Sequence, residues 1–134
     1  MSIKRVLERV LVCGDRNWVD KYTIMNVLKA TMPIIVIEGG AKGADTIAKE
    51  CAIELGIDVK EYQAEWAKYG IAAGPIRNKK MLVEGKPDIV LAFHNNITMS
   101  KGTKNMIKVA NAMGVLVNLY HSNGRIEFNT VITK

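Results

Sequence analysis

Residues 34–45 read Ile34-Ile35-Val36-Ile37-Glu38-Gly39-Gly40-Ala41-Lys42-Gly43-Ala44-Asp45, and this stretch decides the fold. A short apolar run that ends in glycines reads as a buried strand. The residues that follow, 44–55, return to helical spacing, with Ile47, Ala48, Cys51 and Leu55 on one face and Gly56 as the stop signal. A strand that turns through glycines straight into a helix leaves backbone N–H groups exposed at a positive helix end. That arrangement suits a phosphate or another anion.

The same alternation extends in both directions. Residues 8–13 form a first predicted strand, stopped by Gly14, and residues 22–30 have helical spacing with Ile24, Val27 and Leu28 together. Residues 57–62 read as a third, shorter strand, and the pattern breaks down between 63 and 75 into a loop holding Trp66, Tyr69, Gly70 and Gly74. Pro75 suits a first helical position, which places Arg77 and Asn78 in the first turn of the next helix. Residues 89–93 are apolar enough for a central strand. After a polar loop, residues 102–113 are helical and 115–119 form a fifth strand. Ser122-Asn123-Gly124 signals a hairpin turn, followed by alternation of Ile126, Phe128, Thr130 and Ile132.

Strands alternating with helices predict an α/β fold: a single Rossmann-like, doubly wound domain over residues 1–134, with a mainly parallel five-stranded sheet and an extra C-terminal edge strand. In such a sheet ligands lie beyond the carboxyl ends of the strands. The loops after the first four strands are therefore expected to approach one region.

Each of those loops carries chemistry. The first, Gly14-Asp15-Arg16-Asn17-Trp18, offers a tight turn and a guanidinium fork for phosphate, while Asp15 and Asn17 also suit capping of the next helix. The second offers Gly39, Gly40, Ala41, Gly43 and Ala44 as backbone for phosphate. It matches neither a Walker loop nor the G-x-G-x-x-G fingerprint. Asp45 has two readings, a dipole partner or cap at the helix start, or an acceptor for a ribose hydroxyl. In the third, Trp66 is either a base-stacking surface or a lid over the sheet edge, and Gly74, Pro75, Arg77 and Asn78 open a helix. A cation in a first helical turn opposes the dipole, which points to an anion nearby. The fourth, Ser100-Lys101-Gly102-Thr103, supplies a cation, amides and a hydroxyl at another helix start, with Ser100 equally suited to capping.

Composition narrows the classes. The chain has 134 residues, 49% of them hydrophobic, which supports a core and argues against disorder. A formal charge of +6 favours anionic partners. No apolar run reaches membrane-spanning length, and the basic start, residues 1–9, precedes too short an apolar segment for a signal peptide. Cys13 and Cys51 fit a reducing compartment as small core residues, so the expectation is a cytoplasmic protein without a membrane partner. His94 and His121 are scattered and no close ligand pair exists, so neither a metal nor a cofactor is assigned.

Gly14-Asp15-Arg16, the glycine segment 39–45, Ala73-Gly74-Pro75-Ile76-Arg77-Asn78-Lys79-Lys80-Met81 and Gly102-Thr103 occur in the order found in the YspA/YpsA-related branch of the SLOG superfamily. The chain resembles that branch over roughly residues 8–120. The superfamily includes LOG phosphoribohydrolases, the DNA-processing protein DprA and sensor domains for nucleotide-derived signals. The resemblance thus implies a Rossmann-like nucleotide site, commonly in a homo-oligomer. One departure is informative. LOG hydrolases place a catalytic glutamate just after Pro-Gly-Gly-x-Gly-Thr, whereas Gly102-Thr103 here is followed by Lys104-Asn105-Met106.

Three functions follow. The first is a binder of an adenine nucleotide, ADP-ribose or a cyclic relative, acting as a sensor or sequestering protein. The second is a nucleotide N-glycosidase or phosphoribohydrolase, disfavoured by the missing glutamate and with no catalytic residue assigned. The third is a DNA- or RNA-binding protein, suggested by charge, although basic residues such as Lys4, Arg5, Lys79, Lys80 and Lys104 are dispersed.

Overall fold

The computed structural model describes residues 7–133; Lys4 and Arg5 lie outside the described residues. The strands are β1 (Arg9–Gly14), β2 (Ile35–Glu38), β3 (Asp58–Glu61), β4 (Ile89–Phe93), β5 (Leu116–Tyr120) and β6 (Ile126–Glu127). The helices are α1 (Lys21–Thr31), α2 (Ala44–Glu54), the short α3 (Trp66–Tyr69), α4 (Ala73–Gly85) and α5 (Gly102–Ala112). One sheet takes the order β3-β2-β1-β4-β5-β6. Its first five strands are parallel and β6 is antiparallel to β5. This is the Rossmann-like, doubly wound α/β arrangement, and the chain reverses direction of growth between β1 and β4.

Alternation along the strands builds two cores. Val10, Val12, Val36, Leu91 and Phe93 face α1 and α2, where Ile24, Leu28, Ala48 and Cys51 are buried. Leu11, Ile37, Val90 and Ala92 face α4 and α5, where Met81, Leu82, Met106 and Ile107 are buried. Each such side chain contributes about 1.5–3 kcal/mol when fully withdrawn from water. β1 and β4 have helices on both faces, which explains their unbroken apolar character.

Several local features differ from the sequence expectation. Asp20, rather than Asp15 or Asn17, caps α1, by accepting from the Thr23 amide. Residues 66–72 are not a loop: α3 runs into a 3-10 turn, Gly70–Ala72, and then into α4. α4 therefore starts at Ala73, and Pro75 is its third residue. A proline is tolerated there because the first four helical N–H groups have no intrahelical acceptor. Arg77 and Asn78 consequently sit beyond the first turn, where the dipole argument no longer bears on them.

The C-terminal tail does not continue as an alternating strand. β6 ends after two residues, and Asn129 turns the chain with a φ of 52°. Phe128 is exposed, whereas Ile132 packs against the α5 core, its amide donating to the Asn111 side chain.

Candidate functional site

A cleft of about 690 Å³ opens beyond the carboxyl ends of the strands, at the crevice between β1 and β4. Four stretches of chain line it. The loop after β1 supplies Gly14, Asp15, Arg16 and Asn17. The glycine loop after β2 supplies Ala41 and Lys42, with Asp45 from α2. Trp66, Arg77, Asn78 and Met81 come from α3 and α4. The segment after β4 supplies His94, Met99, Ser100, Lys101, Gly102 and Thr103, and Cys13 forms part of the floor.

The first loop is held from below and from the side. The Asp15 amide donates to the Phe93 carbonyl at 2.8 Å, tying β1 to β4 at the crevice. Trp18 is buried edge-on against Phe93, which in turn stacks on Tyr120. The Asp15 carbonyl accepts from the Ala44 amide at 3.1 Å, locking the first loop to the second. Gly43 permits that lock. Its φ is 78°, and a Cβ there would collide with the Asp15 and Arg16 backbone.

The second loop is organised by two buried carboxyl groups. Asp45 accepts from the Gly39 amide at 3.0 Å and the Ala41 amide at 3.3 Å. Burial pushes its carboxyl up to about 6, against the lowering effect of those amides and of Arg77. Asp45 thus organises the loop, a role neither sequence reading named. Glu38 accepts from the Gly40 amide at 2.6 Å through Oε1. Its Oε2 is buried and accepts from no donor among the described residues. Burial, together with its in-register neighbour Glu61 on β3, pushes Glu38 up to about 8. A protonated Glu38 whose O–H points at Glu61 accounts for both facts. Glu61 is correspondingly held low, first by the Gln63 amide and then by Glu38.

The Gly39, Gly40 and Ala41 amides therefore turn inward, because loop amides withdrawn from water need acceptors. Gly39, Gly40, Gly43 and Ala44 do not line the cleft, and neither do Gly74 and Pro75. The amides of Lys42 and Gly43, at the loop tip, are left without a protein acceptor among the described residues. Gly39 has a different use: a side chain there would displace the Arg77 guanidinium, whose Nη1 donates to the Gly39 carbonyl. Gly74 likewise makes room for the edge of the Trp66 ring, which is 59% exposed at the cleft mouth.

Arg77 and Asn78 join the loops. Arg77 Nε donates to the Asn78 side chain at 3.0 Å, and buried Asn78 donates to the Gly102 carbonyl and the Asn105 side chain. Ser100 caps α5 by accepting from the Thr103 amide at 3.0 Å. Arg16, Lys42, Arg77 and Lys101 all line the cleft, and none forms an ion pair among the described residues. Cys13 stays a neutral thiol, since burial pushes its pKa far up. His94 and Lys42 are the notable residues that sequence reasoning did not place in the site. Lys42 was legible from its place between the glycines; His94 carried no signal of its own.

The fold and the cleft define a Rossmann-like protein with a cationic, partly amide-lined crevice at its topological switch point. Residues 8–69 match the YspA, cpYpsA-related SLOG family. The chain is also similar to the Gene 61 protein of Mycobacterium phage D29, with 33% identity over 121 residues covering 83% of this chain and 94% of that protein. The chain belongs to the YspA, cpYpsA-related SLOG family. Among the described residues, no helix is long and apolar enough to cross a membrane.

Proposed function

We propose that the cleft binds a nucleotide or a nucleotide-derived small molecule, such as an adenine nucleotide, ADP-ribose or a cyclic relative, and that the protein senses or sequesters it. In this reading the 134 residues act as one nucleotide-binding domain of a cytoplasmic homo-oligomer. One observation carries the proposal: Arg16, Lys42, Arg77 and Lys101 converge on one cleft, and none of them forms an ion pair among the described residues. Converging like charges repel, and a small polyanion reverses the sign of that energy. Asp15 and Asp45 line the same cleft, and Arg77 holds the Asp45 carboxyl lower, but among the described residues neither carboxylate forms an ion pair with any of the four.

The family supports a nucleotide-related ligand, and the cleft volume lies in the range that holds one. The test is a thermal-shift panel of AMP, ADP-ribose and cyclic adenine nucleotides. A ligand at 100 times its Kd stabilises by about 2.7 kcal/mol, a rise of several degrees. Arg77→Ala removes the shift. A melting curve unmoved by the whole panel overturns the proposal.

Cleavage is the second reading. It is favoured by Asp15, a cleft carboxylate whose Oδ1 accepts only from the Asn17 amide at 2.9 Å. Release of free base from a bound nucleotide distinguishes an N-glycosidase from a binder, and Asp15→Asn would abolish that release.

A further inference from the structure

We propose that His94 is a ligand-recognition residue whose Nε2–H donates a hydrogen bond to a phosphate oxygen of the molecule held in the main cleft. The proposal rests on reading that cleft as a nucleotide site. His94 follows β4 directly, at the crevice where the sheet reverses its order. Its backbone is fixed, the amide donating to the Tyr120 carbonyl at 3.1 Å. Its ring is fixed as well: Nδ1 accepts from the Asn96 amide at 2.9 Å. A ring nitrogen that accepts carries no proton, so the proton of the neutral ring lies on Nε2.

That second nitrogen has no partner. No hydrogen bond among the described residues uses it, and it is not among the buried atoms that lack one. His94 is only 8% exposed, and it lines the cleft. Nε2 is thus unbonded yet keeps access to solvent, in a residue that lines the cleft. The titratable groups acting on the ring are Asp15, from the loop after β1, and His121, just past β5. Burial outweighs the pull of Asp15 and lowers the pKa, so the ring is neutral near pH 7.

A neutral, oriented donor does something the four cations do not. Arg16, Lys42, Arg77 and Lys101 attract any anion to the mouth, whereas a half-enclosed N–H rewards only an acceptor oxygen in the right place. The adjoining Lys101 and Gly102, at the start of α5, face the same cleft and suit a phosphate there.

The experiment uses the full chain with AMP and ADP-ribose as probes, read by calorimetry, with two variants. His94→Asn keeps an oxygen near the Nδ1 position to accept from Asn96 but loses the Nε2–H. His94→Gln places an amide N–H near the lost Nε2–H. The expected result is an about tenfold weaker Kd for the Asn variant at an unchanged melting temperature, with the Gln variant within about threefold of wild type. Equal affinity of the Asn variant and wild type overturns the assignment while leaving the cleft reading intact. Wild-type protein that binds neither probe sinks the cleft reading and this assignment with it. Should both variants unfold, nitrogen NMR of the wild-type imidazoles decides. The proton must sit on His94 Nε2, and AMP must move that resonance more than those of His121; a proton on Nδ1, or an unmoved resonance, overturns the proposal.

Discussion

Glu38→Gln is the sharpest perturbation this fold offers. In the native protein Glu38 lies fully buried, directly across from Glu61 in the parallel β2–β3 register, and its carboxyl is raised from the ordinary 4.5 to about 8. A raised folded-state pKa gives stability that is fully present below 4.5 and is lost as pH climbs through 8. Between those values the folded state holds one more proton than the unfolded chain, a slope of about 1.4 kcal/mol per pH unit. From about pH 6.5 to 8.5, with the slope tapering near 8, wild-type protein should lose about 2 kcal/mol. Asp45 and Glu61 titrate lower, at about 6 and below the ordinary glutamate value, so they contribute little to this window. Glutamine accepts from the Gly40 amide and donates to Glu61 as the protonated acid does, but cannot ionise. Urea unfolding at several pH values provides the assay. The variant should match wild type near pH 5 and lack most of the decline above 6.5. Parallel declines in the two proteins would refute the shared-proton account of the Glu38–Glu61 pair.

Gly43→Ala places a methyl group against the Asp15 and Arg16 backbone at a φ of 78°, and should cost at least about 2 kcal/mol in urea unfolding. Trp66→Ala should leave stability within about 0.5 kcal/mol, because the ring is largely exposed. The same change should weaken ADP-ribose binding by about 1–3 kcal/mol if the ring stacks on the base, measured by calorimetry. Arg77→Lys should not restore the ligand-induced melting shift, since an ammonium cannot reproduce a fork that reaches both the Gly39 carbonyl and the Asn78 side chain.

Much of this fold is legible in the sequence because its determinants are local. The apolar runs of β1, β2 and β4, the glycine stops and the helical spacing of α1, α2 and α5 all agree with the structure. That α4 starts two residues before Pro75 is hidden from the sequence, because the 3-10 turn at Gly70–Ala72 has no periodicity to display, and Pro75 is compatible with any of the first helical positions. The expected C-terminal edge strand pairs with β5, but it is shorter than the alternation of Ile126, Phe128, Thr130 and Ile132 suggests, because alternation says nothing about the turn at Asn129. The convergence of loops follows from topology, and the structure places the turns after β1, β2 and β4 around one cleft. What a single sequence hides is which amides stay free. Glu38 and Asp45 look like polar loop residues, yet both are buried and consume the Gly39, Gly40 and Ala41 amides that the sequence offers to a ligand. His94 escaped for a related reason: its ring orientation depends on Asn96 and on the depth of the crevice.

The two margins of the sheet are unequal. Beside β5, the chain's own final segment occupies the hydrogen-bonding positions, with the Thr130 amide extending the coverage to the Val117 carbonyl. Beside β3 no strand among the described residues pairs with the outer backbone, and Asp58 and Lys60 stand exposed along it. A foreign strand seeking to extend this sheet therefore finds only a two-residue edge at β6, and at β3 it meets charge of both signs, a guard against templated aggregation that needs no additional structure.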